Sequence, residues 1–372
     1  MTDYAEFLQS KRITTAPAGF EPVLPINPLL RGDQQAVDIW ALRRGRAAVF
    51  ADTGLGKTFV QVEWARHVAH HTGGRVLILA PLAVAHQTIS EAAKLGIDIA
   101  YVQNQEQADA AERQLVITNY DRVTSFDAAR FTGVVLDESS ILKAFSGATK
   151  KRLVQMFQAT PYRLACTATP SPNDVMELGN HAEFLGVMPS SEMLARWFVN
   201  DSMHHANYRL KGHARADFWR WVTSWAVCEG KPSDLGFSDE GFDLPSLELF
   251  EHLVAVDHTR AFEDGQLFVN GTQSATSLWK EKRATAADRC AAAAAIVQAE
   301  PNEAWAVWCD TNDEADILKQ LLPEAVEVRG SDSLAEKERK LTAFSTGEAR
   351  IIITKAEIAG FGLNWQHCAR TC

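Results

Sequence analysis

Five short apolar runs recur along the first half of the chain: Ala47–Ala51, Val76–Ala80, Gln114–Thr118, Val134–Leu136 and Arg163–Thr167. Each is rich in aliphatic and β-branched residues, nearly unbroken by charge, and followed by a longer stretch of helical character. A strand that is apolar on both faces must be covered on both faces. Such runs alternating with helices therefore predict an α/β lobe built on a parallel sheet, spanning about residues 26–188. The rhythm returns with Ala304–Cys309, Val326–Val328 and Arg350–Thr354, and the alanine-rich segment Ala286–Ala299 predicts a strong helix before them.

This alternation divides the chain into an N-terminal extension (1–25), a first lobe (26–188), a mostly helical insert with a linker (189–245) and a second lobe (246–372). A length of 372 residues, 46% hydrophobic and 23% charged, suits two domains with real cores. No apolar run is long enough to span a membrane, and the N-terminus lacks a signal-peptide core. The six scattered cysteines form no CxxC pair, which points to reduced thiols in a cytoplasmic protein. A net charge of −10 excludes an all-over basic coat, but phosphate contacts depend on where Lys and Arg sit.

The first run ends in Ala51-Asp52-Thr53-Gly54-Leu55-Gly56-Lys57-Thr58, and a helical pattern, Phe59–Ala69, follows at once. Strand, glycine-containing loop, Lys-Thr and helix form the context of a phosphate-binding loop. Gly54 and Gly56 let backbone N–H groups close on phosphate oxygens, with Thr53 and Leu55 in the same loop, at a helix N-terminus. Lys57 would reach the β- and γ-phosphates, and the Thr58 hydroxyl would help hold Mg²⁺. Val134–Leu136 delivers Asp137 and Glu138 at a strand end. Asp137 would hold Mg²⁺ and Glu138 would orient and deprotonate water. In a parallel sheet the strand C-termini share one edge, which would bring Lys57 and Asp137 together.

These motifs resemble those of superfamily 2 helicases, with the nearest similarity to the SWI/SNF-type branch. Ala51–Thr58 resembles motif I, and Asp137-Glu138-Ser139-Ser140 with Lys143 resembles the DExx box. Gln34 resembles the adenine-reading glutamine, and the adjacent Gln35 offers a second register. Ala80-Pro81-Leu82 with Gln87 resembles motif Ia, and Thr118-Asn119-Tyr120 motif Ib, which line the nucleic-acid track in that family. Thr167-Ala168-Thr169-Pro170 resembles motif III, which couples the nucleotide site to the track. Gly179-Asn180 and Phe184-Leu185 sit where the family carries a helix closing the first lobe. Thr354-Lys355 and Gly360-Phe361-Gly362-Leu363-Asn364 resemble motif V, placing Thr354 and Lys355 on the track and Gly360 and Gly362 toward the nucleotide.

The resemblance implies two RecA-like lobes, the second incomplete, using ATP and Mg²⁺ to translocate on nucleic acid, with double-stranded DNA favoured. Phage and mobile-element helicases are similar. The family's motif VI, with its arginine finger, would lie beyond Cys372, so the chain reads as a fragment or a truncated form with weak turnover. Such an arginine contributes about 10³–10⁵ in rate. Two other readings stay open: the motor subunit of a restriction or defence system with a nuclease or methyltransferase partner, and a nucleotide-gated nucleic-acid-binding module with little catalysis.

Between Met203 and Trp225, three tryptophans lie among His204, His205, Arg209, Lys211, His213, Arg215 and Arg220. This segment either stacks bases and contacts phosphate or packs its aromatics into the lobe. Asp310, Asp313 and Glu314 read as a solvated acidic patch, and His181 and His252 as ordinary core or surface residues.

Overall fold

The computed structural model describes residues 14–143, 147–201, 207–242, 246–255, 279, 282–360, 363 and 365–372. The chain divides into two compact units, Met1–Asp243 and Leu244–Cys372.

The first unit is built on a seven-stranded sheet, with every neighbouring pair parallel. Its strands are β1 (Arg46–Ala51), β2 (Arg75–Ala80), β3 (Ala100–Tyr101), β4 (Leu115–Asn119), β5 (Phe131–Asp137) and β6 (Tyr162–Cys166). The hairpin strands β7 (Phe198–Asp201) and β8 (Asn207–Leu210) come next and, among the described residues, pair only with each other. β9 (Ala226–Glu229) then completes the large sheet in the order β3-β4-β2-β5-β6-β1-β9.

The pleat sorts each strand's residues into two cores. Ala48, Phe50, Leu77, Leu79, Val134 and Leu136 enter one, and Ala47, Val49, Val76, Ile78 and Val135 the other. Both faces are buried, so the strands are apolar at successive positions rather than at alternate ones. Each fully buried Leu or Ile in such a core contributes about 1.5–3 kcal/mol before the entropy of ordering is subtracted.

The segment expected as a helical insert and linker is instead part of the first unit. Trp197, Trp221 and Trp225 are buried with Phe218 in the same core as Phe50, while Trp219 remains exposed. Trp221 lies 4.7 Å from Trp197 and 5.3 Å from Trp225, ring centroid to centroid. Three indoles bury too much apolar area to be left on a connector, and their burial draws the chain back to add β9 beside β1. Of the three tryptophans between Met203 and Trp225, Trp221 and Trp225 are thus packed into the core, and Trp219 is not. His204 and His205 lie outside the described residues. The described part of the N-terminal extension is also anchored here, with Phe20 stacked 3.8 Å from His71.

The second unit has a four-stranded sheet of β10 (Trp305–Trp308), β11 (Val326–Glu327), β12 (Ile351–Thr354) and β13 (Arg370–Thr371), in the order β11-β12-β10-β13 and all parallel. The helix Ala286–Ala299 packs Cys290, Ala294 and Val297 against it. The acidic patch expected here is solvated at Asp310 and Asp313, which are exposed, but not at Glu314. Glu314 is buried, paired with Arg289 at 2.7 Å, and closes a capping box with Thr311 on the helix Asn312–Leu321. Asp310 and Asp313 pair with Lys282 and Arg283. Among the described residues no helix is long and apolar enough to cross a membrane.

Candidate nucleotide-binding site

β1 ends at Ala51, and the chain turns through Gly54 (φ 84°) and Gly56 (φ 73°) into the helix Lys57–Thr72. These left-handed turns are open to glycine without strain. With Gly56 as its N-cap, the helix begins without a side-chain cap, so its first N–H groups face the loop with the helix's partial positive charge. The Lys57 ammonium donates to the Ala51 carbonyl at 2.9 Å and the Asp52 carbonyl at 3.1 Å, which folds it over the mouth of the loop. The Thr53 N–H is bonded to the Asp52 carboxylate at 2.6 Å. Thr58 follows Lys57 in the first helical turn.

Gln34 lies behind this loop and is buried. Its amide nitrogen donates to the Leu55 carbonyl at 2.9 Å, and its amide oxygen accepts from the Arg31 N–H at 2.9 Å. Gln35 instead donates to the Leu30 carbonyl, so Gln34 is the glutamine in contact with the phosphate loop. Arg31 also donates to Leu55, pairs with Asp33 at 2.6 Å and stacks on the Phe242 ring. Glu229, at the end of β9, is buried nearby. Burial, reinforced by Asp33, pushes its carboxyl up to about 7 while Arg31 opposes. β9, Phe242 and Glu229 belong to the segment that sequence reasoning treated as insert and linker, and no motif pointed to them.

The parallel topology brings the second motif to the same edge. Asp137 ends β5 and is buried, and the Gln61 amide donates to it at 2.8 Å from the helix that starts at Lys57. Burial raises the Asp137 carboxyl above its ordinary range, opposed by the Gln61 bond, raised further by Glu138 and opposed by Lys57. Glu138 has φ 56°, the one non-glycine residue with a positive φ among the described residues. A left-handed backbone there costs on the order of 1–2 kcal/mol. Several side chains hold it in place. Ser140 donates to the Glu138 carboxylate at 2.6 Å and Thr167 donates at 2.8 Å, while Thr167 accepts from the Thr169 N–H at 3.0 Å. Ser139 bonds to buried His181 at 3.1 Å, and Asn180 donates to the Leu142 and Lys143 carbonyls. The helix Leu178–Leu185 thus clamps the loop that carries Glu138.

The residues expected to touch nucleic acid are less exposed than their motifs implied. Thr118, Asn119 and Thr354 are buried. Asn119 accepts from the Arg122 N–H, and the Thr354 hydroxyl points at the Val328 carbonyl. Thr118 and Asn119 close β4 and Thr354 ends β12, interior strands with a neighbour on both sides, so their side chains pack within the unit. Pro81, Gln87 and Lys355 are half-buried, and Thr169 is exposed. Gly360 follows a short helix, and Gly362 lies outside the described residues.

Residues 31–178 match the family model of the DEAD/DEAH box helicases. The fold is similar to that of the SWI2/SNF2 ATPase core of Sulfolobus solfataricus in complex with dsDNA, with a TM-score of 0.50, 18% identity, and coverage of 95% of this chain and 83% of that one. The Sulfolobus solfataricus SWI2/SNF2 ATPase core domain by itself gives a TM-score of 0.48, 15% identity, and coverage of 96% and 84%. The UvsW helicase of bacteriophage T4 gives 0.36, 14% identity, and coverage of 50% and 66%. No curated protein matches the chain. The match to the DEAD/DEAH box helicases falls within the first unit, and the likeness to the SWI2/SNF2 ATPase core is one of fold.

Proposed function

We propose that this protein is an ATP hydrolase that couples hydrolysis to movement along nucleic acid, with duplex DNA as its track. The observation that carries the reading is the convergence of Lys57, Asp137 and Glu138 on one sheet edge, with Thr167 bonded to Glu138. The loop N–H groups around Gly54 and Gly56 would bind the phosphates, and Lys57 would exchange its carbonyl partners for the β- and γ-phosphate oxygens. Gln34 would take the adenine edge by exchanging its bond to Leu55. Thr58 and Asp137 are an oxygen donor set that fits Mg²⁺, with Asp137 already braced by Gln61. When bound, the ion screens phosphate charge.

Glu138 would orient a water in line with the γ-phosphorus and accept its proton as the new O–P bond forms. Thr167 holds that carboxylate and also accepts from the Thr169 N–H, so a shift of residues 167–170 would change how Glu138 is aimed. This gives a physical route between a strand of nucleic acid and the hydrolysis step. The likeness to an SWI2/SNF2 core solved in complex with dsDNA supports duplex as the track.

Phosphate release measured with duplex DNA, single-stranded DNA and RNA tests the reading. The expected result is stimulation by duplex that is abolished in Lys57→Ala and Glu138→Gln. Nucleotide binding with no stimulation by any nucleic acid would overturn it.

A further inference from the structure

Away from the phosphate loop, the helices Gly32–Arg44 and Lys57–Thr72 enclose a second polar group. Asp38 comes from the first helix, and Glu63 and His67, one turn apart on the same face, come from the second. All three are fully buried, and one ligand atom from each lies within 4.8 Å of the others. Glu63 is well supported: it accepts from the Asn27 N–H at 2.9 Å and from Arg66 at 2.6 and 2.9 Å, and it lies 3.3 Å from His67 Nε2. Asp38 is not. Neither of its carboxylate oxygens has a hydrogen-bond partner, and His67 Nδ1 has none. A buried carboxylate without donors is expensive, so some species must satisfy it. Arg66 is committed to Glu63 and to the Pro25 carbonyl. With Arg66 counted, the ionised cluster keeps one net negative charge.

We propose that Asp38, Glu63 and His67 bind a divalent transition-metal ion of the Zn²⁺ class, which staples the helix carrying Gln34 to the helix carrying Lys57. One imidazole and two carboxylates are the donors such an ion takes, whereas Mg²⁺ and Ca²⁺ prefer more numerous oxygens. Metal–ligand bonds of about 2.0–2.2 Å need the donor atoms to close by only about an ångström from their present spread. Arg66 and the Asn27 N–H already orient Glu63 in the manner of an outer coordination shell. The ion would fix the distance between the two helices, and so the fit of Gln34 against the phosphate loop at the Leu55 carbonyl.

The test uses the full chain, stripped with chelator, reloaded with Zn²⁺ or Co²⁺ and dialysed, and none of its readouts depends on ATP turnover. The expected result is retention of roughly one equivalent of Zn²⁺ with visible ligand-field absorption on Co²⁺ substitution. Thermal unfolding should shift upward with Zn²⁺ but not with Mg²⁺. Asp38→Asn, nearly isosteric, and His67→Gln should each lose the Co²⁺ absorption and most of the Zn²⁺ shift. Absence of both signals in the unsubstituted protein overturns the proposal, as does a Zn²⁺ shift of equal size in Asp38→Asn. A metal-free Asp38→Asn that is more stable than the parent, with no Co²⁺ absorption in either, also overturns it and assigns a proton to Asp38.

Discussion

Two loops meet at one edge of the first unit's sheet, and they are built in opposite ways. The loop after β1 is shaped by glycine and satisfied by backbone: its positive φ values fall on Gly54 and Gly56, and even the Lys57 ammonium rests on main-chain carbonyls. The loop after β5 places its positive φ on Glu138 and is held by the side chains of Ser140, Thr167, His181 and Asn180. A loop that binds a ligand through N–H groups needs a bare backbone. A loop that must aim one carboxylate needs that side chain even where the backbone pays for it.

If that contrast holds, the largest effect comes from the carboxylate. Glu138→Gln keeps shape and fold but removes the proton acceptor, and turnover should fall roughly 10²–10⁴-fold while nucleotide binding persists. Steady-state hydrolysis beside nucleotide titration checks this, and a variant that lost binding as well would erase the distinction between the loops.

Next in size is the clamp. Burial holds the His181 ring at about 4, below its ordinary 6.5, so the fold favours the neutral imidazole. That stabilisation is complete above about pH 6.5 and is lost as pH falls toward 4, by at most about 3 kcal/mol. Denaturant unfolding across that window should be steeper in the parent than in His181→Asn. Equal slopes would mean that the ring is not held neutral by burial in the fold.

Gly56→Ala probes the other loop. It forces a side chain onto a positive φ and drives Cβ into the Gln34 amide nitrogen. A loss of about 1–3 kcal/mol is expected by thermal unfolding. The smallest effect is Thr167→Val, which removes one hydrogen bond to a carboxylate and should lower turnover by roughly tenfold. Unchanged turnover there would cut the proposed link from residues 167–170 to Glu138.

The sequence made the glycine loop easier to read than the carboxylate loop's supports. The pattern Gly54 to Thr58 is local, and so is Asp137-Glu138 after an apolar run. The apolar runs likewise located β1, β2, β4, β5 and β6, because strands covered on both faces leave an unbroken signature. What was not legible is non-local. β9 is short, and Glu229 breaks its apolar run after three residues. Its place beside β1 follows from the burial of Trp221 and Trp225, which no spacing rule encodes. His181 looked like any core histidine until the structure set it on Ser139. Asp38, Glu63 and His67 carry no joint pattern, because two helices separated by a strand supply them.

The position of β9 also bears on the order in which the protein can be made. Ala48 and Asp52 on the phosphate-loop strand donate to the carbonyls of Trp225 and Glu229. A nascent chain emerging from the ribosome therefore exposes the β1 edge until residues 225–229 have cleared the exit tunnel. Until then the strand that launches the phosphate loop is an open template for pairing with the wrong partner. Slowing synthesis just before this point would prolong that exposure, whereas slowing it just after would give the sheet time to close.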